Sequence, residues 1–214
     1  MRPLPAGLGS ARPRLASGAV DGDAEILSWP QDDVPGDLRA QVRALHDQAW
    51  PPDPAGPERR SADGHDPALR PLSLLLVAGG RVLAALDILS KELEHAGERY
   101  AASGLSTVVT DEALRGRGYG GRLVRAAYET IAASGADLGI FTCNRPLGPF
   151  YEAAGWTILP GTVLVGGTPD DPFASDQWDS VTLAAFFSER ARRAAGDFAG
   201  ARIGLYPGTI DRLW

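Results

Sequence analysis

The residues best placed to do chemistry are Arg115-Gly116-Arg117-Gly118-Tyr119-Gly120-Gly121. They follow an apolar, strand-like run from Leu105 to Thr110. They precede Leu123, Val124, Ala127, Tyr128 and Ile131, which fall at helical spacing. A strand, a glycine-rich turn and a helix in that order aim backbone N–H groups at an anion. Glycine lets the main chain come close, and the helix N-terminus carries partial positive charge. The chemistry this implies is pyrophosphate binding, with Arg115, Arg117 and Arg122 as further sources of charge. A Walker loop would need Gly-Lys followed by Ser or Thr, which this turn lacks. Gly116, Gly118 and Gly121 match the dinucleotide pattern GxGxxG. The acid that pattern needs at the end of the next strand is missing from Ile140-Phe141-Thr142-Cys143-Asn144.

A third spelling, Arg-x-x-Gly-x-Gly through Arg115, Gly118 and Gly120, resembles the acyl-CoA pyrophosphate loop of the GNAT N-acetyltransferase superfamily. A second ordered segment carries the same resemblance: a strand over Asp137 to Thr142, then Asn144, then Phe150-Tyr151-Glu152-Ala153-Ala154-Gly155-Trp156. The resemblance implies an α/β (mixed α+β) fold, a mostly antiparallel sheet flanked by helices, with acetyl-CoA as cosubstrate and no metal. It implies that the backbone of Val108, Val109 and Thr110 meets the acetyl-pantetheine arm. Arg115, Gly116, Arg117, Gly118, Tyr119 and Gly120 then cradle the pyrophosphate, and Asn144 contacts CoA.

Acyl transfer to an amine needs a neutral amine, stabilisation of the thioester oxygen and a proton for the leaving thiolate. Backbone N–H groups can serve the oxygen. By resemblance Tyr151 faces the CoA sulfur. A phenol is protonated at neutral pH and can act as the general acid. The three histidines, His46, His65 and His95, share no metal-ligand spacing and read as solvated or core residues. Cys143 reads as a small core residue.

Within the superfamily the chain is most similar to the aminoglycoside 2'-N-acetyltransferases, over Thr107 to Gly116, Leu138 to Trp156 and the terminal Asp211-Arg212-Leu213-Trp214. That likeness implies substrate contacts from Asp53, Ser106, Thr142, Asp211 and Trp214. Ser106 stands where the group has a water-activating Glu. The apolar Ala184-Ala185-Phe186-Phe187 stands where it has another acid. Glu92, Glu94 and Glu98 are the acids within reach in sequence to replace the base. Two functions follow. One is an acetyl-CoA-dependent N-acetyltransferase acting on a small-molecule primary amine such as an aminoglycoside. The other is a regulatory module that holds acyl-CoA without efficient transfer. A protein N-terminus as acceptor stays open, as does a homodimer.

The chain has 214 residues, 44% hydrophobic and 22% charged, which suffices for one sizeable core. Its net charge of -6 argues against a nucleic-acid partner. Its single Cys excludes an internal disulfide framework. No apolar run reaches membrane-spanning length, so no membrane partner and a cytoplasmic location are expected. Residues 1–22, rich in Pro, Gly and Arg, are expected to form a disordered extension before a single acetyltransferase domain over 23–214. Within it the pattern predicts a strand at Glu25 to Trp29, a helix at Asp37 to Trp50 and a loop from Pro51 to Asp66. A hairpin of Leu72 to Ala78 and Val82 to Leu89, turning at Gly79-Gly80, comes next. Further strands are expected at Glu98 to Thr110, Thr162 to Val165 and Val181 to Phe187, with a loop from Gly166 to Gln177.

Overall fold

The computed structural model describes residues 24–51, 64–168 and 170–205. Asp53, Asp211 and Trp214 lie outside the described residues, as do the expected N-terminal extension and most of the loop after Trp50. In chain order the elements are β1 (Glu25–Pro30), α1 (Gly36–Ala49), β2 (Leu72–Ala78), β3 (Arg81–His95), β4 (Glu98–Thr110), α2 (Tyr119–Ala133), β5 (Leu138–Asn144) and α3 (Gly148–Glu152). They continue with β6 (Thr157–Leu159), β7 (Val163–Gly167), β8 (Pro172–Ala174), β9 (Ser180–Phe186), α4 (Glu189–Arg193), α5 (Ala195–Phe198) and β10 (Arg202–Gly204). Seven strands form one sheet in the order β1-β2-β3-β4-β5-β9-β6, and β10-β7-β8 form a second, smaller one.

Each face of the large sheet is covered by a helix whose apolar stripe fits it. On α1, Leu38, Val42, Leu45 and Ala49 recur at helical spacing and meet Leu75, Val77, Val82, Ala85 and Val109. Burying Leu38 and Leu45 contributes roughly 2 kcal/mol each. On α2, Leu123, Val124, Ala127 and Ile131 enter the main core on the opposite face. Because both faces are covered, β2 and the first half of β3 read as continuous apolar runs.

One joint in the large sheet differs from all the others. The β4–β5 pair is parallel, joined by the crossover helix α2, and only Ala102 with Leu138 and Ser103 with Gly139 are in register. Every other ladder of that sheet is antiparallel. Beyond the two register pairs β4 and β5 diverge as a V. Asp137 pins its apex. Its amide donates to the Ala101 carbonyl at 2.7 Å, and its carboxylate accepts the Ala101 amide at 2.8 Å. Arg190 of α4 grips the same carboxylate through Nε at 2.8 Å and through Nη2.

The strand β4 also carries an extra residue. Ala85 pairs with Val109 and Asp87 with Ser106, so two steps on β3 oppose three on β4. The bulge places Thr107 at φ 50°, a region that β-branched residues rarely occupy and that costs on the order of 1 kcal/mol or more. Side chains directly opposed in an antiparallel ladder share a face. Ser106 and Val109 therefore both point toward α1, with the bulge absorbing the change of parity.

The predicted hairpin is present but longer than expected. The strand β3 runs on to His95 and turns through Ala96 and Gly97 into β4. The strand of the second motif extends through Asn144. The strand expected at Thr162 to Val165 runs from Val163 to Gly167, and the loop expected up to Gln177 contains β8. Short β6, α4, α5 and β10 carry no long period and were not anticipated.

Candidate active site

The glycine turn lies at the mouth of the V. Gly116 and Gly118 have φ of 80° and 82°, and Gly118 is the N-cap of α2 in the left-handed region. A Cβ on either would meet nothing within 4 Å, so these backbone positions face open space. The first turn of α2 has no intrahelical acceptors for its amides, the first α2 bond being Arg122 N to Gly118 O at 3.0 Å. This donor set suits a pyrophosphate. Gly120 instead faces inward: a Cβ there would lie 2.8 Å from Thr110 Oγ1 and 3.3 Å from the Phe150 ring. The turn thus seats directly on the end of β4.

The surrounding cations differ among themselves. Arg117 is exposed and has no partner among the described residues, while Arg115 reaches Glu112 only at 3.9 Å and is half exposed. Arg122 donates through Nη2 to the Ala24 carbonyl at 2.7 Å, so it ties α2 to the start of β1. The Tyr119 side chain is 6% exposed and belongs to the core. Only its backbone can take part in the cradle.

Along the V, Val108 is half-buried and packs on the main core, Val109 is buried under α1, and Thr110 is half-buried beside Gly120. The β5-facing edge of β4 from Leu105 to Thr110 has no ladder partner among the described residues, which leaves main-chain donors and acceptors to line the cleft. On the opposite wall Thr142 is half-buried across from Thr182, and Asn144 ends β5, exposed, with no side-chain cap on the following turn.

Tyr151 sits on α3, 6% exposed, its ring edge-on to Phe141 at 5.0 Å and to Phe150 at 4.9 Å. Phe141 in turn meets Trp156 at 4.8 Å. Trp156 packs directly on Gly139, where a Cβ would come within 2.6 Å of its ring. That close approach is why the second motif ends in an aromatic residue opposite a glycine on β5. The Tyr151 hydroxyl has no hydrogen-bond partner among the described residues. Burial first, and then the neighbouring Cys143 thiol, raise the phenol above its ordinary value. Burial pushes the Cys143 thiol up to about 11. The Tyr151 proton therefore stays on oxygen throughout the neutral range and moves only as full charge develops on a neighbouring atom.

The acids considered as substitutes for the missing Glu are elsewhere. Glu92, Glu94 and Glu98 lie at the far end of the β3–β4 hairpin, exposed, with Glu94 paired to Arg99 at 2.9 Å. The group beside Ser106 is Asp87, its direct partner across the ladder. Asp87 accepts Ser73 Oγ at 2.5 Å and Thr107 Oγ1 at 2.8 Å, and His65 Nε2 stands 3.3 Å away. Burial opposes its charge, but the bonds from His65, Ser73 and Thr107 outweigh that cost and hold the carboxyl below its ordinary value. Sequence spacing gave no hint of this cluster, because its members come from β2, β3, β4 and the segment before β2. Among the described residues no group of three or more His, Cys, Asp or Glu could hold a metal ion, and no helix is long and apolar enough to cross a membrane.

A model of the acetyltransferase (GNAT) domain matches residues 34–159, more than half of the chain. No curated protein matches the sequence. Among solved structures the chain is similar to ElaA of Escherichia coli, at 19% identity and TM-score 0.55, over 76% of this chain and 99% of that one. It is similar to YhbS of Escherichia coli, a GNAT family N-acetyltransferase crystallised in complex with CoA, at 17% identity and TM-score 0.55, over 86% and 89% of the two chains. An acyl-CoA N-acyltransferase from Pseudomonas aeruginosa matches at 16% identity and TM-score 0.53, over 76% and 99%. At these identities the likeness is one of fold.

Proposed function

Since the chain belongs to the acetyltransferase (GNAT) family, we propose that it moves the acetyl group of acetyl-CoA directly to a primary amine of a small molecule. It is an N-acetyltransferase, and acetyl-CoA is its cosubstrate. The observation that carries the reading is the V between β4 and β5, with the turn from Arg115 to Gly120 at its mouth and Tyr151 on its wall. In this reading the amides around Gly118 and Gly120, with Arg117 and Arg115, hold the pyrophosphate. The open edge of β4 at Val108, Val109 and Thr110 pairs with the amides of the pantetheine arm and turns an N–H toward the thioester oxygen. Asn144 contacts the cosubstrate from β5, and Tyr151 protonates the leaving thiolate.

The acceptor enters from the α1 face, past Ser106 and Thr142. An aminoglycoside is the first candidate, carried by Asp53, Asp211 and Trp214 in the sequence. Against a strongly cationic sugar stands the lack of spare negative charge at the described site: Asp87 is committed to three partners. A less cationic primary amine is therefore included in the reading.

The test is release of free CoA from acetyl-CoA by the full chain with aminoglycosides, polyamines and small monoamines. Release dependent on an aminoglycoside supports the narrower acceptor. Release with other amines alone keeps the transferase and removes the antibiotic. Binding of acetyl-CoA with no release from any amine overturns small-amine transfer and favours a binding module.

A further inference from the structure

The family pattern loses its base where Ser106 replaces Glu, and the structure sets a different titratable group at the same point. We propose that His46, on the last turn of α1, is the general base of the transfer, with Asp87, itself held by His65, as the residue that offsets its charge. This rests on the transferase reading above.

The geometry runs through the bulge. His46 reaches the β4 bulge from the α1 side, hydrogen-bonded to the Thr107 backbone. Its ring meets Trp50 edge-on at 5.7 Å, which fixes its plane. Its Nε2 is buried and has no hydrogen-bond partner among the described residues. A neutral imidazole protonated at Nδ1 presents a bare lone pair at Nε2. Buried polar atoms without partners are uncommon, and one on a ring set against the β4 bulge is a place for a ligand's donor. Thr107, the residue His46 touches, is held at its unfavourable φ by its bond to Asp87. The strain thus keeps the strand, the carboxylate and the imidazole in one arrangement.

The groups that act on His46 are Asp87 from β3, His65 from the segment before β2, Asp47 on α1 and the Thr107 backbone. Burial is the largest influence and lowers its pKa. Asp87, the Thr107 bond and Asp47 raise it, and His65 lowers it. The ring is therefore neutral and able to accept a proton at neutral pH.

The step balances as follows. The nitrogen lone pair of the neutral amine attacks the thioester carbon, and the C=O pair moves to oxygen. As the C–N bond forms, one N–H becomes acidic and its proton passes to His46 Nε2. The C=O bond re-forms, the C–S bond breaks, and the thiolate takes the proton of Tyr151. The imidazolium proton returns to the Tyr151 phenolate through solvent. Amine and acetyl-CoA give amide and CoA with no net proton change.

The test uses His46→Gln and Asp87→Asn in the full chain. The amine is whichever aminoglycoside, polyamine or monoamine releases CoA with the parent. The pH dependence of kcat/KM is read alongside acetyl-CoA affinity and Tm. In the parent the acid side should fall through two ionisations, the amine and the imidazole. In His46→Gln it should fall through the amine alone, with kcat/KM about 100-fold lower and acetyl-CoA affinity unchanged. Asp87→Asn should keep both ionisations and move the lower one to more acid pH, because the carboxylate raises the imidazole. A His46→Gln protein that folds, binds acetyl-CoA and keeps both ionisations overturns the proposal while leaving the transferase intact. An Asp87→Asn profile with no displacement overturns it also. A parent that binds acetyl-CoA but acetylates no amine overturns both readings together.

Discussion

Asp137 and Ala101 bond to each other twice, amide to carbonyl at 2.7 Å and carboxylate to amide at 2.8 Å, at the point where β4 and β5 begin to part. The carboxylate is also held by Arg190, whose guanidinium lies 5.1 Å from the Tyr100 ring. A V that is open along its length has to be closed firmly at one end, and this is the end.

The Arg190 bonds, stronger than the cost of burial, hold the Asp137 carboxyl well below the usual carboxylate range, with the bond from Ala101 adding to them. A group with a depressed folded pKa contributes stability that is present above its unfolded pKa of about 3.9. That stability is lost as the pH falls through the folded value. Asp137→Asn should therefore lower stability by about 2 kcal/mol at pH 7, below the range for a fully buried pair because Arg190 is half exposed. Denaturant unfolding at several pH values should show the difference between parent and variant shrinking below about pH 4. A gap that stays constant into strong acid would refute the assignment.

Tyr151→Phe should cut kcat by about 100-fold and leave acetyl-CoA affinity almost unchanged. The ring contacts with Phe141 and Phe150 survive the change, so Tm should hold. Because the phenol is pushed up by burial, the parent should show no loss of rate from Tyr151 ionisation up to about pH 9. Equal turnover for the two proteins would remove Tyr151 from the mechanism.

Gly118→Ala places a Cβ on a residue at φ 82° and should cost roughly 1 kcal/mol of stability. Gly120→Ala should do more to the cosubstrate than to the fold. Its Cβ would press on Thr110 Oγ1 and lift the turn from the strand end. Titration calorimetry should show acetyl-CoA affinity falling at least about tenfold for Gly120→Ala, the order of 1.4 kcal/mol.

Arg117 and Arg122 are close in sequence and should separate cleanly. Arg117→Ala should weaken acetyl-CoA binding several-fold with Tm unchanged. Arg122→Ala should lower Tm by a few degrees, by losing its bond to the Ala24 carbonyl, with binding unchanged. The opposite pattern would mean that the two side chains exchange roles when the cosubstrate arrives.

The parts of the candidate site that lie on one continuous stretch were legible in the sequence. The glycine turn, the α2 face and the strand-to-Tyr151 segment are local patterns, and local patterns survive in a one-dimensional string. The fold class followed from the resemblance those two segments carry. What escaped was built by register. His46, His65 and Asp87 are far apart in the chain and meet because the β3–β4 ladder sets Asp87 opposite Ser106 and the bulge turns Thr107 toward it. A bulge leaves little compositional trace, and Ser106-Thr107-Val108-Val109 reads as plain strand. The tie from Arg122 to Ala24 is hidden for the same reason: its acceptor is a main-chain carbonyl that spacing cannot reveal. The small β10-β7-β8 sheet was missed because two of its strands have only three residues, too few for a period.

The seam between β4 and β5 also divides the polypeptide in two. Strands β1 to β4 are consecutive in the chain and adjacent in space, and β5, β9 and β6 all come after the seam. Two register pairs and the Asp137 clasp join the sheets, while α2 lays Tyr128 across to Trp156 and Phe187 on the far side. A backbone cut between Ser134 and Gly135 would leave every antiparallel ladder whole and break none of the hydrogen bonds that close the V. Each fragment would expose the apolar face that only the other can cover. The molecule is thus organised as two complementary halves, and the cleft proposed for the cosubstrate is the line along which they were fitted together.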